Sequence, residues 1–226
     1  MNSNPSYLGH RSRVKEKFLK NDSNSFYDYE LLELLLFSAN PRKDVKPIAK
    51  KLLEKLGSLG EVINANSEVL QSIENINDGT IIALKIAKEI NIRISKQEIK
   101  KKIIFTNWQE LINYCNLVLG SLKTEQFRIL FLDKKHAIIS DEIFQNGGVE
   151  SVMVDIKEIA KKSLILTASS IILIHNHPSG DVNPSKFDII NTNKIIEALK
   201  PLNIKVYDHI IIAAEKYYSF KNNGLI

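Results

Sequence analysis

The sequence predicts an α/β (α+β) protein in which a small helical domain precedes a domain of alternating strands and helices. Apolar residues in the first hundred positions recur at the three- and four-residue spacing of helices. After them, short β-branched runs alternate with amphipathic segments, as in a sheet packed against helices. The length of 226 residues accommodates two modest domains.

The helical domain is predicted to occupy residues 1–95. Gly57 follows its second helix, at the position where a C-terminal cap favours glycine. The charged run from Ser95 to Lys102 has no apolar face, so we place a linker at 96–102, before a second domain at 103–226. The predicted helices of the first domain cover residues 30–37, 45–56, 67–70 and 80–94.

In the second domain, capping and turn residues mark the predicted elements. Asp155 is a suitable N-cap for one helix, and Asn183 for the next, with Pro184 at its first position. The predicted helices cover residues 108–119, 155–163 and 185–199, and the predicted strands cover residues 127–133, 136–140, 171–174 and 206–212.

The composition excludes several classes of protein. No apolar run approaches the roughly 20 residues that span a bilayer, and the N-terminus lacks the apolar stretch of a signal peptide. The single cysteine, Cys115, excludes an internal disulfide and a multi-cysteine metal site. The net charge of +5 is too small to indicate a concentrated phosphate-binding surface. We expect a soluble, cytoplasmic protein without a membrane partner.

Two histidines at the end of a buried strand are the most informative feature. His175 and His177 are two residues apart, so in a strand their imidazoles face the same side. Asp188 falls near the end of the first turn of the following helix, where its carboxylate can face the strand end. Two neutral imidazoles and one carboxylate form a three-ligand zinc site with a fourth position free for water. The sequence therefore predicts one zinc ion per chain at these three residues.

Such a site is suited to hydrolysis, because zinc lowers the pKa of bound water to about 7 and polarises a carbonyl group. Ser185, three residues before Asp188, is placed to donate a hydrogen bond to the oxyanion. A pair of histidines at this spacing is by itself more often an ordinary structural feature. The strand, the turn and the aspartate favour the metal here. HNH nucleases share the letters His-Asn-His, but their three residues are dispersed over a ββα unit.

The order His-x-His-Pro at 175–178, followed by Ser-x-x-Asp at 185–188, resembles the JAMM motif of MPN-type metalloproteases and deubiquitinases. The segment His-Asn-His-Pro-Ser-Gly-Asp is similar to the sequence of one bacterial branch, the RadC family. This resemblance implies a mixed sheet flanked by helices, with zinc held by His175, His177 and Asp188. Further similarities to the RadC family lie at residues 28–32, 43–45, 125–127, 130–133, 208–211, 218–220 and 224–225.

The same resemblance implies an upstream glutamate that acts as general base. Glu125, at the entry to the first strand of the second domain, matches that position. Glu142, after the second strand, is the alternative. His209 is expected to be a hydrogen-bonded core histidine, with support of the zinc ligands as its alternative role.

The N-terminal half resembles the helix-hairpin-helix region of RadC proteins but departs from it at the turn. Such hairpins carry a Gly-hydrophobic-Gly turn whose backbone N–H groups bind a DNA phosphate. Here Asn75-Ile76-Asn77 stands at that place, flanked by the acidic residues Glu74 and Asp78. This composition disfavours DNA binding, so we expect a hairpin with a structural role.

The functional prediction is a zinc-dependent hydrolase of metallopeptidase or isopeptidase type, acting on a peptide or protein substrate. The alternative is a DNA-associated repair or recombination protein whose metal site is structural or vestigial. A structural zinc site is closed by a fourth protein ligand, whereas a catalytic site keeps one position open. The number of protein ligands therefore distinguishes the two.

Overall fold

The computed structural model describes residues 6–20, 26–41, 43–100, 108–146, 155–214 and 216–226. The chain divides into two compact units, Met1–Asn91 and Ile92–Ile226. The first is built of helices and the second contains a mixed sheet with helices, which confirms the predicted fold class. In the described ranges, no helix is both long enough and apolar enough to cross a membrane.

The first unit packs its helices around a core that includes Leu36, Leu52, Val62 and Leu84, all fully buried. Two of its helices, α1 and α4, were not predicted. Its helices, the last of which continues into the second unit, are α1 (Ser6–Lys20), α2 (Asp28–Ala39), α3 (Lys46–Leu56), α4 (Leu59–Asn64), α5 (Ser67–Gln71) and α6 (Asp78–Lys100).

The described part of the predicted linker is helical. Helix α6 was expected to end at Ile94 but runs to Lys100, so residues 96–100 are helical. Lysine, glutamine and glutamate have high helix propensity, which allows a charged segment without an apolar face to extend a helix. Residues 101–102 of the predicted linker lie outside the described residues. The domain boundaries therefore stay a prediction.

Two asparagines stabilise the turn between α5 and α6. Asn75 adopts a left-handed backbone with φ of 70°, the conformation for which hairpins use glycine. The Asn77 side chain accepts a hydrogen bond from Thr80 N at 2.8 Å and donates to Asn40 Oδ1 at 2.8 Å. Asn77 therefore caps the start of α6 with its own carboxamide.

The second unit is organised around a sheet with strand order β2-β1-β3-β4-β5. Strands β3 and β4 are parallel and the other neighbours are antiparallel. The short strand β5 was not predicted. The elements are α7 (Trp108–Leu119), β1 (Gln126–Leu132), β2 (Ile138–Asn146), α8 (Ile156–Ile165), β3 (Ser170–Asn176), α9 (Lys186–Leu199), a 3₁₀ turn (Lys200–Leu202), β4 (Lys205–Ala213) and β5 (Lys216–Ser219).

Both faces of this sheet are covered by helices. Leu130, Ile172 and Ile210 belong to a core shared with α7. Leu173 and its neighbours on the other face pack against α8 and α9. Because side chains alternate along a strand, His175 lies on the same face as Leu173. The sheet therefore presents His175 on its α9 side.

One predicted helix cap is wrong. Helix α9 begins at Lys186 with Ser185 as its N-cap, two residues later than the predicted cap, Asn183. The Asn183 side chain instead donates to Asp181 Oδ1 at 2.8 Å within the preceding loop. Ser185 and Asp188 form a reciprocal capping box, which satisfies the first N–H groups of the helix and fixes its start.

Candidate metal centre

Three potential metal ligands meet where β3 ends and α9 begins. The Nε2 atoms of His175 and His177 are 2.9 Å apart. Asp188 Oδ1 lies 3.3 Å from His175 Nε2, and Asp188 Oδ2 lies 3.6 Å from His177 Nε2. Ligands of a tetrahedral zinc ion, at about 2.0–2.1 Å from the metal, stand about 3.3–3.4 Å apart. The three residues therefore fit a zinc ion, and they are the residues that the sequence singled out.

Hydrogen bonds at the end of β3 hold the two histidines in place. The Asn176 side chain accepts from Gln126 N at 2.8 Å and donates to Thr124 O at 3.1 Å. His177 N donates to Ile212 O at 2.8 Å, which continues the pairing with β4 beyond the strand. Pro178 has no N–H group and follows immediately, so the strand cannot extend. The backbone carrying both imidazoles is thus fixed on both sides.

The electrostatics hold two of the three candidate ligands, His175 and Asp188, in the protonation states that a metal requires. Burial lowers the pKa of His175 to about 4, so its imidazole is neutral near pH 7. The nearby carboxylate of Asp188 raises the pKa of His177, against the effect of partial burial, so this ring must lose a proton before it binds a metal. Burial favours a neutral Asp188, but the nearby rings of His177 and His175 and hydrogen bonds from Ser185 hold its pKa below the usual range. The carboxylate is therefore ionised and available to a cation.

A backbone carbonyl fixes the tautomer of His177. Its Nδ1 lies 2.7 Å from Asp181 O. A carbonyl oxygen can only accept a hydrogen bond, so Nδ1 carries the proton of the neutral ring. Nε2 then has a free lone pair facing His175 and Asp188. Nothing in the sequence pointed to the role of Asp181, because it depends on the path of the loop.

Ser185 lies beside the candidate ligands but is engaged with one of them. Its hydroxyl donates to Asp188 Oδ2 at 2.6 Å, and its backbone N–H donates to the same oxygen at 2.8 Å. The side chain is exposed at the start of α9. Ser185 thus orients the carboxylate, and its predicted bond to an oxyanion requires the hydroxyl to rotate away from Asp188.

The two candidate bases lie in different environments. Phe127 pairs with His175 across β1 and β3, and this register continued by two residues places Glu125 beside His177. The charge of Glu125 contributes to the raised pKa of His177. Glu142 instead lies on β2, where its carboxylate accepts from Ser140 Oγ at 2.7 Å and pairs with a lysine of α8.

His209 and Thr192 lie directly behind the candidate ligands. His209 Nε2 is 2.8 Å from His175 Nδ1, and Thr192 Oγ1 is 2.6 Å from His209 Nδ1. His209 was expected as a core histidine, and it is buried. Thr192 was not singled out, although its position one helical turn after Asp188 was a usable signal.

Residues 105–225 match the family described as RadC-like JAB domain. The matched segment covers more than half of the chain and includes the sheet of the second unit and the three candidate ligands.

Proposed function

The chain belongs to the RadC-like JAB domain family, and we propose that it is a zinc-dependent hydrolase of JAMM type that cleaves a peptide or isopeptide bond. The convergence of His175, His177 and Asp188 at zinc-ligand spacing carries the proposal. Within the described part of the chain, this cluster has no fourth His, Cys, Asp or Glu. Three protein ligands are the arrangement of a catalytic zinc site, whereas structural sites are closed by four.

The residues around the cluster supply the remaining chemistry. A bound zinc ion would activate a water molecule and polarise the carbonyl of the substrate. We assign Glu125 as the general base that takes a proton from the attacking water and passes it to the leaving amine. Its exposed position beside His177 leaves its carboxylate accessible to the attacking water and to the leaving amine. Ser185 orients Asp188 and would stabilise the oxyanion after rotation of its hydroxyl.

A DNA-binding role through the N-terminal hairpin is the weaker candidate. At the start of α6 the Asn77 side chain accepts from Thr80 N, one of the N–H groups that a phosphate would otherwise use. Lys51, a nearby cation, is paired with Glu74 at 2.8 Å. We expect weak, salt-sensitive binding of duplex DNA by the full chain in fluorescence anisotropy. Tight binding at physiological salt would favour the DNA-associated alternative.

The proposal is tested by separating metal binding from hydrolysis. Wild-type protein loaded with zinc and dialysed should retain one zinc per chain by elemental analysis and should cleave members of a peptide or isopeptide library. Glu125→Gln keeps the size of the side chain and removes its basicity. This variant should retain zinc, and its hydrolysis rate should fall about 10²–10⁴-fold.

Glu142→Gln is the matched control, since it makes the same change at the glutamate engaged by Ser140. It should retain both zinc and turnover. If Glu142→Gln abolishes turnover while Glu125→Gln leaves it intact, the base assignment is wrong and the ligand assignment survives. If wild-type protein retains no zinc, the proposed function is refuted.

A further inference from the structure

We infer that Thr192 and His209 form a buried hydrogen-bond relay that fixes His175 in the tautomer presenting Nε2 to the metal. Both are positioning residues, since they act through His175. This inference rests on the proposed zinc site. It adds to that site a residue from a further strand, since His209 lies on β4. The relay begins and ends on candidate ligands, running from the backbone of Asp188 to the ring of His175.

The direction of every hydrogen bond in this relay follows from its first acceptor. The backbone carbonyl of Asp188 can only accept, and Thr192 Oγ1 donates to it at 2.6 Å. A hydroxyl has a single proton, so the same oxygen must accept from His209 Nδ1, 2.6 Å away. Neutral His209 therefore carries its proton on Nδ1 and has a free lone pair on Nε2.

The last bond of the relay determines the state of His175. His209 Nε2, as an acceptor, lies 2.8 Å from His175 Nδ1, which must therefore be the protonated nitrogen. The Nε2 of His175 is left with a lone pair facing His177 Nε2 and Asp188 Oδ1. Within the relay, any other tautomer of either ring would set two donors or two acceptors against each other. The lone pairs on Nε2 of His175 and His177, 2.9 Å apart, instead face the place of the metal.

Burial and packing make this arrangement hard to avoid. Thr192, His209 and His175 are 1%, 2% and 5% exposed, so water has little access to compete for their polar atoms. Phe127 packs against both imidazoles, with ring centroids 6.2 Å from His175 and 6.0 Å from His209. Phe220 covers His209 with centroids 4.5 Å apart. Ring rotation is therefore restricted as well as protonation.

An imidazole in this position has a chemical consequence. Histidine ligands of metals donate their second N–H to a carboxylate, a backbone carbonyl or water. Here the acceptor is a neutral imidazole, which orients His175 without adding a negative charge behind the metal. The charge that balances the metal is then supplied by Asp188 alone among the residues of the relay and the cluster.

Thr192→Val tests the relay in the full chain, because it replaces the hydroxyl by a methyl of similar size. Zinc affinity, measured by competition with a fluorescent chelator, should fall about 10–100-fold. Thr192→Ser is the matched control and should bind zinc like the wild type, since it retains the hydroxyl. Nitrogen-15 NMR of the histidine rings should show protonated Nδ1 for both His175 and His209 in metal-free wild type, and a changed tautomer at His209 in Thr192→Val.

A second pair of variants covers the case in which Thr192→Val does not fold. His209→Gln retains an acceptor for His175, whereas His209→Phe retains the ring and its packing without that acceptor. Zinc affinity should be higher for the glutamine variant. Wild-type protein that binds no zinc would refute the proposed function. Equal zinc affinity within either pair, or His175 protonated at Nε2 in the metal-free wild type, would overturn the relay.

Discussion

The metal-free protein should lose stability on acidification because His175 is held neutral in the fold. Its pKa falls from 6.5 to about 4 through burial. Between these pH values the unfolded chain binds a proton at this residue that the folded chain does not, so stability decreases as the pH falls. A tenfold change in proton affinity is worth about 1.4 kcal/mol, and the difference of 2.5 between 6.5 and 4 therefore corresponds to about 3 kcal/mol.

The neighbouring groups modify this loss in known directions. Burial also lowers the pKa of His209, which adds a loss of the same sign in the same range. His177 has a raised pKa, so its contribution is fully present below pH 6.5 and is lost as the pH rises through its folded value. Asp188 has a lowered pKa, so its contribution to stability is present above about pH 3.8 and is lost only as the pH falls further. Acidification from pH 6.5 to 4 is thus dominated by the two buried imidazoles.

The single tryptophan provides the assay. Trp108 lies in α7 and packs against the sheet of the second unit, so its fluorescence reports on the unit that contains the site. Urea unfolding in EDTA at pH 7 and at about pH 4 should give the loss for the wild type. His175→Gln is the matched variant and should lose about 3 kcal/mol less over the same range. Equal losses for the two proteins would refute the reasoning, because His175 would then titrate alike in the folded and unfolded states.

Three further predictions concern the metal and the hairpin. Zinc affinity should fall about tenfold per pH unit below the raised pKa of His177, because this ring must lose a proton to bind. The fall should become steeper only near pH 4, where His175 also protonates. Competition titrations that show two protons released per zinc ion at pH 6 would contradict this. Asp188→Asn should retain less zinc than the wild type in elemental analysis. Ser185→Ala should keep the metal, and its hydrolysis rate in the peptide assay should fall about 10²–10³-fold. Asn75→Ala should destabilise the first unit by about 1–2 kcal/mol, because alanine tolerates the φ of 70° poorly; Asn75→Gly is its control, and circular dichroism during thermal unfolding should show the difference.

The fold class and the residues of the candidate site could be read from the sequence because their signals are local. His175, His177 and Asp188 lie within a single strand-turn-helix passage, where the two-residue period of the strand and the start of the helix determine their directions. Helix α4 had a local signal that was overlooked, the capping box of Ser58 and Glu61. Strand β5 has four residues, too few for a recognisable pattern.

Contacts between distant segments could not be predicted in this way. The Arg128 guanidinium binds Asp141 through two hydrogen bonds of 3.0 and 2.7 Å on the α7 side of the sheet. The register of β1 and β2 creates this buried pair, and no spacing in the sequence encodes it. The bond between His175 and His209 likewise depends on the parallel pairing of β3 and β4, 34 residues apart in the chain.

The starts of α6 and α9 show why the metal site is the stronger functional candidate. In α6 the neutral carboxamide of Asn77 caps the helix start and accepts from one of its N–H groups, that of Thr80. In α9 the cap is shared with an anionic side chain, because Asp188 accepts from Ser185 through Oδ2 and keeps Oδ1 directed toward His175. The positive end of the helix stabilises that carboxylate in its charged form. The first arrangement removes one N–H group from the reach of a phosphate, whereas the second holds a charge ready for a cation.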